Sequence, residues 1–155
     1  MTGQQAAAPP SAQKIQSRQV RLRRASLAIL IALIVQFALG IGVNLYVTLP
    51  TAGRPGHSSW FGNGALLALH AALGMFLILA AIALLVRAIR ARNVTLIVIS
   101  AAGLAAIVLA FFFGATFAEK LTDGYSLGMA IAFAVALACY AIGLYALTAR
   151  RGGPS

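Results

Sequence analysis

Four long apolar stretches, separated by short polar segments, dominate the pattern of residues along the chain. They cover about residues 25–49, 64–86, 94–113 and 125–148. A helix rises about 1.5 Å per residue, and crossing a hydrocarbon layer of roughly 30 Å takes about 20 residues. Each stretch meets that requirement or comes very close to it. The pattern therefore predicts an all-α fold, an integral membrane four-helix bundle with short connections and no sheet.

The residues outside the apolar stretches predict a simple organisation. Residues 1–24 begin with a segment rich in Ala, Pro, Gln and Ser and end in a basic segment, so we predict a disordered, basic amino-terminal arm. The cations of this arm recur at helical spacing, which leaves a short surface helix as an alternative. The transmembrane domain extends over residues 25–148, and residues 149–155 form a tail. Asn63 and Asn93 precede the second and third stretches as candidate helix caps.

Composition excludes a water-soluble globular domain. Hydrophobic residues make up 61% of the 155 residues and charged residues only 9%, which lies far from the usual balance of soluble proteins. The formal net charge of +10 could suggest nucleic acid as a partner. The cations flank the apolar stretches, however, where Lys and Arg set orientation and contact anionic lipid head groups. We therefore expect membrane lipids, and no nucleic acid, as partners.

The distribution of cations predicts the orientation of the chain. Cytoplasmic segments carry an excess of Lys and Arg. With a cytoplasmic amino terminus, the outer loops hold only Arg54 and Lys120. The inner segments then hold the other ten cations, Lys14, Arg18, Arg21, Arg23, Arg24, Arg87, Arg90, Arg92, Arg150 and Arg151. This bias predicts a multi-pass protein of the bacterial cytoplasmic (inner) membrane with both termini in the cytoplasm.

A row of small residues in the fourth stretch favours close helix packing. Its members recur every fourth residue and therefore share one face of a helix: Gly124, Gly128, Ala132 and Ala136. Helices in hydrocarbon associate largely through close packing at such residues. We expect this small-residue row to be a packing face for another helix, either of a second membrane subunit or of a second copy in a homodimer.

His70 is the one ionisable side chain predicted to lie deep in a span, about two turns into the second helix. An ionisable group inside a membrane is expensive and suggests a function by default. Three interpretations stay open. The ring is a neutral group that hydrogen-bonds a neighbouring helix through Asn44 or a backbone carbonyl, a ligand of haem or another metal, or a proton relay. Gly74, at i+4, leaves room for a cofactor beside the imidazole.

A polar stripe follows the first span. Gln36, Gly40, Asn44 and Thr48 stand at successive i+4 steps, so the stripe should face other helices rather than lipid. The stripe either bridges helices through hydrogen bonds or lines a pocket with His70 in the outer half of the bundle. In a pocket, Gln36 and Asn44 would hydrogen-bond a haem propionate or a water molecule.

Two segments, IVQFALGIGVNLYVTLP and LLALHAALGMFLILAAI, resemble one four-helix half of the haem A synthase family. The shared order is a glutamine, Leu-Gly, a polar helix end, a proline, and a histidine early in the next helix. In that family each half is a four-helix bundle, and histidines from its second and fourth helices ligate haem. The resemblance implies that His70 is the second-helix haem ligand.

Three departures from that family argue against haem A synthesis by this chain alone. The fourth span has no histidine, Leu67 precedes His70 by one turn where the catalytic half of the family has a glutamate, and the cysteine pair of many members is missing. The resemblance then implies a haem-binding or degenerate half bundle. The sixth iron ligand would be a water molecule, Met129 or the His70 of a second copy.

The sequence favours an accessory or structural subunit of a membrane complex, because packing surfaces alone satisfy that role. The alternative is a haem-binding redox or haem-handling protein that uses His70. A transporter is disfavoured, since the spans hold no carboxylate to couple ions and no paired Gly or Pro breaks in mid-span. No set of catalytic residues stands out, so we expect a protein that is not an enzyme.

Reporter fusions test the predicted topology. Fusions after Arg92 and Ser155 should read cytoplasmic, and fusions near Gly56 and Thr122 should read external, because the basic segments stay on the inner side. Paired phosphatase and fluorescent-protein reporters give opposite signals on the two sides and so control for expression. A single fusion that reads on the wrong side overturns the topology.

Overall fold

The computed structural model describes residues 10–46, 63–120 and 122–149. The regular elements in these ranges are four α-helices: α1 Pro10–Tyr46, α2 Asn63–Arg90, α3 Val94–Lys120 and α4 Asp123–Ala149. The predicted all-α, four-helix architecture is confirmed.

Each helix is long and apolar enough to cross a membrane. The apolar helical segments contain 26 to 31 residues, which corresponds to about 39–47 Å of helix at 1.5 Å per residue. This exceeds the roughly 30 Å of a hydrocarbon layer. The segments are Gln16–Tyr46, Gly64–Arg90, Val94–Lys120 and Asp123–Thr148.

Helix α1 begins fifteen residues before the predicted first span. Pro10 stands at its first position, where a missing N–H costs no hydrogen bond. Residues 11–24 contain neither Gly nor Pro and are rich in helix-forming Gln and Arg. Leu22 is buried in the core of the bundle. The predicted disordered arm is therefore helical from Pro10 onward and continuous with the span, while residues 1–9 lie outside the described ranges.

The connection between α2 and α3 takes three residues. Arg92 adopts a left-handed conformation with φ of 53°. Its N–H donates to Ile89 O at 2.9 Å, and the Asn93 N–H donates to Ala88 O at 3.3 Å, the hydrogen-bond pattern of a Schellman ending. Asn93 Oδ1 then accepts from Leu96 N at 3.2 Å. The cap predicted at Asn93 is confirmed.

The four helices pack as a ring in which each contacts two neighbours. The interfaces are α1/α2, α2/α3, α3/α4 and α1/α4; α3/α4 is the most extensive and α1/α4 the least. Within the described residues, the diagonal pairs make no contact. The buried core consists of Leu22, Ile29, Leu33, Leu77, Ala81, Leu84, Ala88, Leu96, Ala106, Ile107, Ala136, Tyr140 and Leu147.

Glycine allows α3 and α4 to approach closely. A Cβ atom at Gly103 would lie only 2.8 Å from the Tyr140 ring, and one at Gly128 would lie 3.2 Å from the Phe113 ring. Each aromatic ring thus lies against bare backbone of the facing helix, and Tyr140 is 1% exposed. Small residues serve the same purpose at helix interfaces in membranes.

The small-residue row of α4 is largely turned into the bundle. Ala132 and Ala136 are buried, and Gly128 contacts Phe113 of α3. Gly124 is exposed and has open space around its Cβ position. The helix that approaches this row is therefore α3 of the same chain.

Candidate functional site between α1 and α2

The antiparallel packing of α1 and α2 brings the Gln36 side chain against His70. Gln36 Nε2 donates to the backbone oxygen of His70 at 3.0 Å. The same nitrogen lies 3.3 Å from His70 Nε2. We call this two-bond contact the Gln36–His70 clasp.

The hydrogen bonds of the clasp define the form of the imidazole. The Gln36 amide nitrogen carries two hydrogens, one for each of its two partners. His70 Nε2 must then accept, which makes the ring neutral and places its hydrogen on Nδ1. The opposite amide orientation would set Gln36 Oε1 against the His70 carbonyl, which brings two acceptors together. The hydrogen-bond network thus assigns both the amide orientation and the tautomer.

Two glycines make the clasp sterically feasible. A Cβ atom at Gly40 would lie 3.2 Å from His70 Cε1, and one at Gly74 would lie 3.2 Å from Gln36 Nε2. Gly40 follows Gln36 by four residues, and Gly74 follows His70 by four. Residues four apart are neighbours on a helix surface. Each helix therefore offers a polar side chain and, one turn further, a bare backbone position that receives the partner's side chain.

The arrangement changes the role predicted for Gly74. The sequence placed open space for a cofactor beside the imidazole at this glycine. In the structure Gly74 is buried, and its Cβ position faces the Gln36 amide at 3.2 Å and the Phe111 ring at 3.8 Å. The space that the glycine creates holds the amide of Gln36.

The polar stripe is only partly used at this site. Gln36 and Gly40 contact His70, whereas Asn44 is exposed, and the His70 ring pairs with Gln36 instead. Thr48 and His57, the second histidine of the sequence, lie outside the described ranges. Of the four predicted site residues, the structure brings together Gln36, His70 and Gly74.

Two buried atoms of the clasp retain hydrogen-bonding capacity. Gln36 Oε1 and His70 Nδ1 are buried and have no partner among the described residues. With the assigned tautomer, Nδ1 is a donor and Oε1 an acceptor. An unsatisfied polar group in an apolar environment is costly. A small polar molecule or side chain that hydrogen-bonds to this donor and acceptor would remove that cost.

The residues as placed do not fit a haem group. Nδ1 and Nε2 are the two ring atoms that can ligate iron. Nε2 is paired with Gln36, and Nδ1 lies 3.8 Å from the Cβ position of Gly40, where the ring packs against α1. A macrocycle at either nitrogen would require α1 to move away. The sulfur of Met129 lies against Gly114 of α3, 3.1 Å from its Cβ position.

Within the described ranges, no three side chains of the His, Cys, Asp and Glu types are grouped so that they could share a metal ion. The two carboxylates of the chain, Glu119 and Asp123, are exposed where α3 ends and α4 begins. The His and Cys side chains within the described helices are His70 on α2 and Cys139 on α4, two helices that are not neighbours in the ring.

Sequence reasoning missed three buried hydroxyl groups. Ser26, Ser100 and Tyr140, on α1, α3 and α4, are each 1% exposed or less. Their hydroxyl oxygens have no partner among the described residues. The available signal was spacing, because Ser26 precedes the buried residues Ile29 and Leu33 by three and seven positions and so shares their helix face.

Comparisons with protein-family models, with curated proteins and with solved structures found no match to this chain. The resemblance to the haem A synthase family stays a prediction that depends on the residues of the first two spans.

A double-mutant cycle tests the clasp. Gln36→Leu and His70→Leu should each lower the stability of the bundle, and the double variant should lose less than the sum of the two, because the second substitution finds no bond left to break. We expect a coupling energy of about 0.5–2 kcal/mol, the range for hydrogen bonds between helices in membranes. Unfolding in mixed micelles of mild detergent and dodecyl sulfate measures it.

Asn44→Leu is the matched control, because Asn44 belongs to the same polar stripe and is exposed. Its cycle with His70→Leu should give additive effects. Gly74→Ala should weaken the clasp less than Gln36→Leu does, since the added methyl carbon would lie 3.2 Å from Gln36 Nε2 and displace the amide by a few tenths of an ångström. Additivity between Gln36→Leu and His70→Leu would contradict the clasp.

Proposed function

We propose that the chain is a multi-pass protein of the bacterial cytoplasmic membrane, with both termini in the cytoplasm, and that it acts as an accessory or structural subunit of a membrane complex. Four apolar helices of sufficient length support the membrane placement. Described cations cluster where α1 enters its span and where α2 meets α3, which supports the orientation.

The observation that carries the structural role is the Gln36–His70 clasp. Its polar groups bond to one another across two helices rather than facing an open cavity. The glycine opposite each side chain is matched to that contact. Such pairing joins helices in a medium where the hydrophobic effect cannot. Packing between α1 and α2 is therefore sufficient to explain why Gln36 and His70 lie within the apolar helices, and no substrate is needed to explain their presence.

A subunit must also present surface to its partners, and the lipid-facing sides of the helices supply it. Large apolar side chains are exposed on all four helices, among them Phe76, Phe112 and Ile131. Other membrane subunits are the partners that we propose first. A second copy that binds through the small-residue row of α4 is a less favoured partner, because most of that row already packs within the chain.

A haem-binding or haem-handling role is the alternative. The Nε2 atom of His70 supports it, because this nitrogen carries no hydrogen in the assigned tautomer and would be able to ligate iron once released from Gln36. The close packing of the ring on Gly40 and Gln36 opposes it. Haem binding by His70 would therefore require the clasp to open. No reaction is proposed for this role, and the chain is not proposed as an enzyme.

Purification from membranes at native abundance tests the subunit proposal. Extraction in mild detergent, followed by size-exclusion chromatography with light scattering, should give a particle heavier than the monomer of 155 residues. Crosslinking in intact membranes before extraction should give the same partners, which controls for association in detergent. Recovery of a lone monomer under both conditions would rule out the subunit role.

Absorption spectroscopy tests the haem alternative. If haem binds, protein purified from haem-replete cells should show a Soret band that His70→Ala removes or shifts. His57→Ala should leave the band unchanged and serves as the matched histidine control. Gln36→Leu should strengthen the band, because it frees Nε2 of the ring. Absence of any Soret band after haem supplementation would eliminate this role and leave His70 as a helix-bridging residue.

A further inference from the structure

An apolar groove opens between α1 and α4, the least extensive of the four helix interfaces. Its volume is about 270 Å³, and Phe37 and Phe133 stack across it with ring centroids 5.5 Å apart. Ala130 and Ala134, one turn apart on α4, keep its wall low. The lining residues are Ile34, Phe37, Ala130, Phe133, Ala134 and Leu137.

The groove lies on a helix face that leads to an arginine. From Phe37 back towards the amino terminus, steps of three and four residues pass through Ile34, Leu30 and Leu27 to Arg23. Residues at these steps share one face of a helix. Arg23 is exposed, and Leu27 is 43% exposed. An apolar track therefore runs along α1 from the groove to a cation.

On α4 the same surface continues with small or short side chains. Ala141 follows Ala134 by seven residues and is exposed, so it extends the low wall towards the carboxyl end of the helix. Phe37 and Phe133 are in contact between antiparallel helices, and Arg23 precedes Phe37 by the same fourteen residues by which Leu147 follows Phe133, which places the end of α4 near the level of Arg23. Beyond Leu137, where the groove ends, the α4 side of the apolar track carries Ala138 and Ala141, and Tyr145 is exposed one turn further along.

The length of this track matches one lipid leaflet. Eleven residues separate Arg23 from Ile34, which corresponds to about 16 Å of helix. Half of a hydrocarbon layer is about 15 Å thick. An acyl chain lying in the groove would therefore place its head group beside Arg23.

The charge at this end of the bundle selects for an anionic head group. The chain contains two carboxylates, Glu119 and Asp123, and both stand where α3 ends and α4 begins, at the opposite end. Neither acidic side chain of the chain is therefore near Arg23 to pair with it. Arginine forms strong, charge-assisted hydrogen bonds with phosphate.

We propose that this groove is a binding site for one anionic phospholipid of the inner leaflet. One acyl chain lies along the α1/α4 groove between Ile34 and Leu137, and the head-group phosphate bonds to Arg23. The lipid fills the gap left where two helices pack least closely. This inference depends on the membrane placement proposed above and adds a ligand to it.

Native mass spectrometry of the full chain tests the proposal. The protein is reconstituted in vesicles of phosphatidylcholine with one fifth phosphatidylglycerol of the same acyl chains, extracted in mild detergent and weighed with its retained lipids. We expect one phosphatidylglycerol per chain, retained in preference to phosphatidylcholine. Arg23→Gln should lower its retention about fivefold, which corresponds to roughly 1 kcal/mol for one cation near an anionic lipid.

Matched controls separate this site from general lipid contact. Arg90→Gln removes the same charge from α2, which does not contact α4, and should leave retention unchanged. Ala134→Phe fills the groove and should abolish retention, whereas Ala102→Phe adds the same bulk at an exposed position of α3 and should not. Circular dichroism and a monodisperse elution profile show that each variant is folded before it is compared.

Three outcomes would overturn the proposal. These are equal retention of the two lipids, equal loss in both arginine variants, and a lipid-free dimer in which Ala134→Phe restores the monomer, since that dimer would show a second copy in the groove. Carbonate extraction distinguishes a failure of the membrane placement. A chain released by carbonate refutes both proposals, whereas a chain that stays in the membrane without selective lipid refutes only this one.

Discussion

Close approach of helix backbones at glycine is the constraint on which the rest of the structure depends. Two of the three more extensive interfaces contain positions where a Cβ atom would press on the partner helix, Gly40 and Gly74 between α1 and α2 and Gly103 between α3 and α4. Ala81, Ala88 and Ala106 are among the buried residues. Helices that are apolar on all sides gain little from burial against each other in hydrocarbon, so they depend on such contacts. The α1/α4 interface lacks them and leaves a groove.

The Gln36–His70 clasp shows how the same constraint positions polar chemistry. The Gln36 amide donates to the backbone oxygen of His70 while it packs against Gly74, where a Cβ atom would lie within 3.2 Å of its nitrogen. The imidazole in turn packs against α1 at Gly40, where a Cβ atom would lie 3.2 Å from its Cε1. Two residues that each cost free energy in an apolar layer thereby satisfy one another. His70 Nδ1 and Gln36 Oε1 remain available as one hydrogen-bond donor and one acceptor.

The two ends of the bundle carry different charges. Described arginines of α1 and α2 stand at one end, and the two carboxylates with Lys120 stand at the other. The buried hydroxyls of Ser26, Ser100 and Tyr140 occupy the core. The clasp joins α1 and α2 nearer the acidic end, since His70 follows the start of α2 by seven residues. Helix packing and lipid contact thus act at different levels of the same short bundle.

The pattern of apolar residues alone predicts the number and class of the helices, and it marks Gln36 and His70 as polar residues within them. The sequence also determined the cap at Asn93, because capping is local. Only the tertiary structure decided that His70 bonds to Gln36 rather than Asn44, that the space at Gly74 belongs to an amide, and that the small-residue row of α4 faces α3. A helix that is apolar all round carries no pattern that fixes its rotation about its own axis. That rotation depends on which neighbouring helix supplies the matching side chain, and those neighbours are distant in sequence.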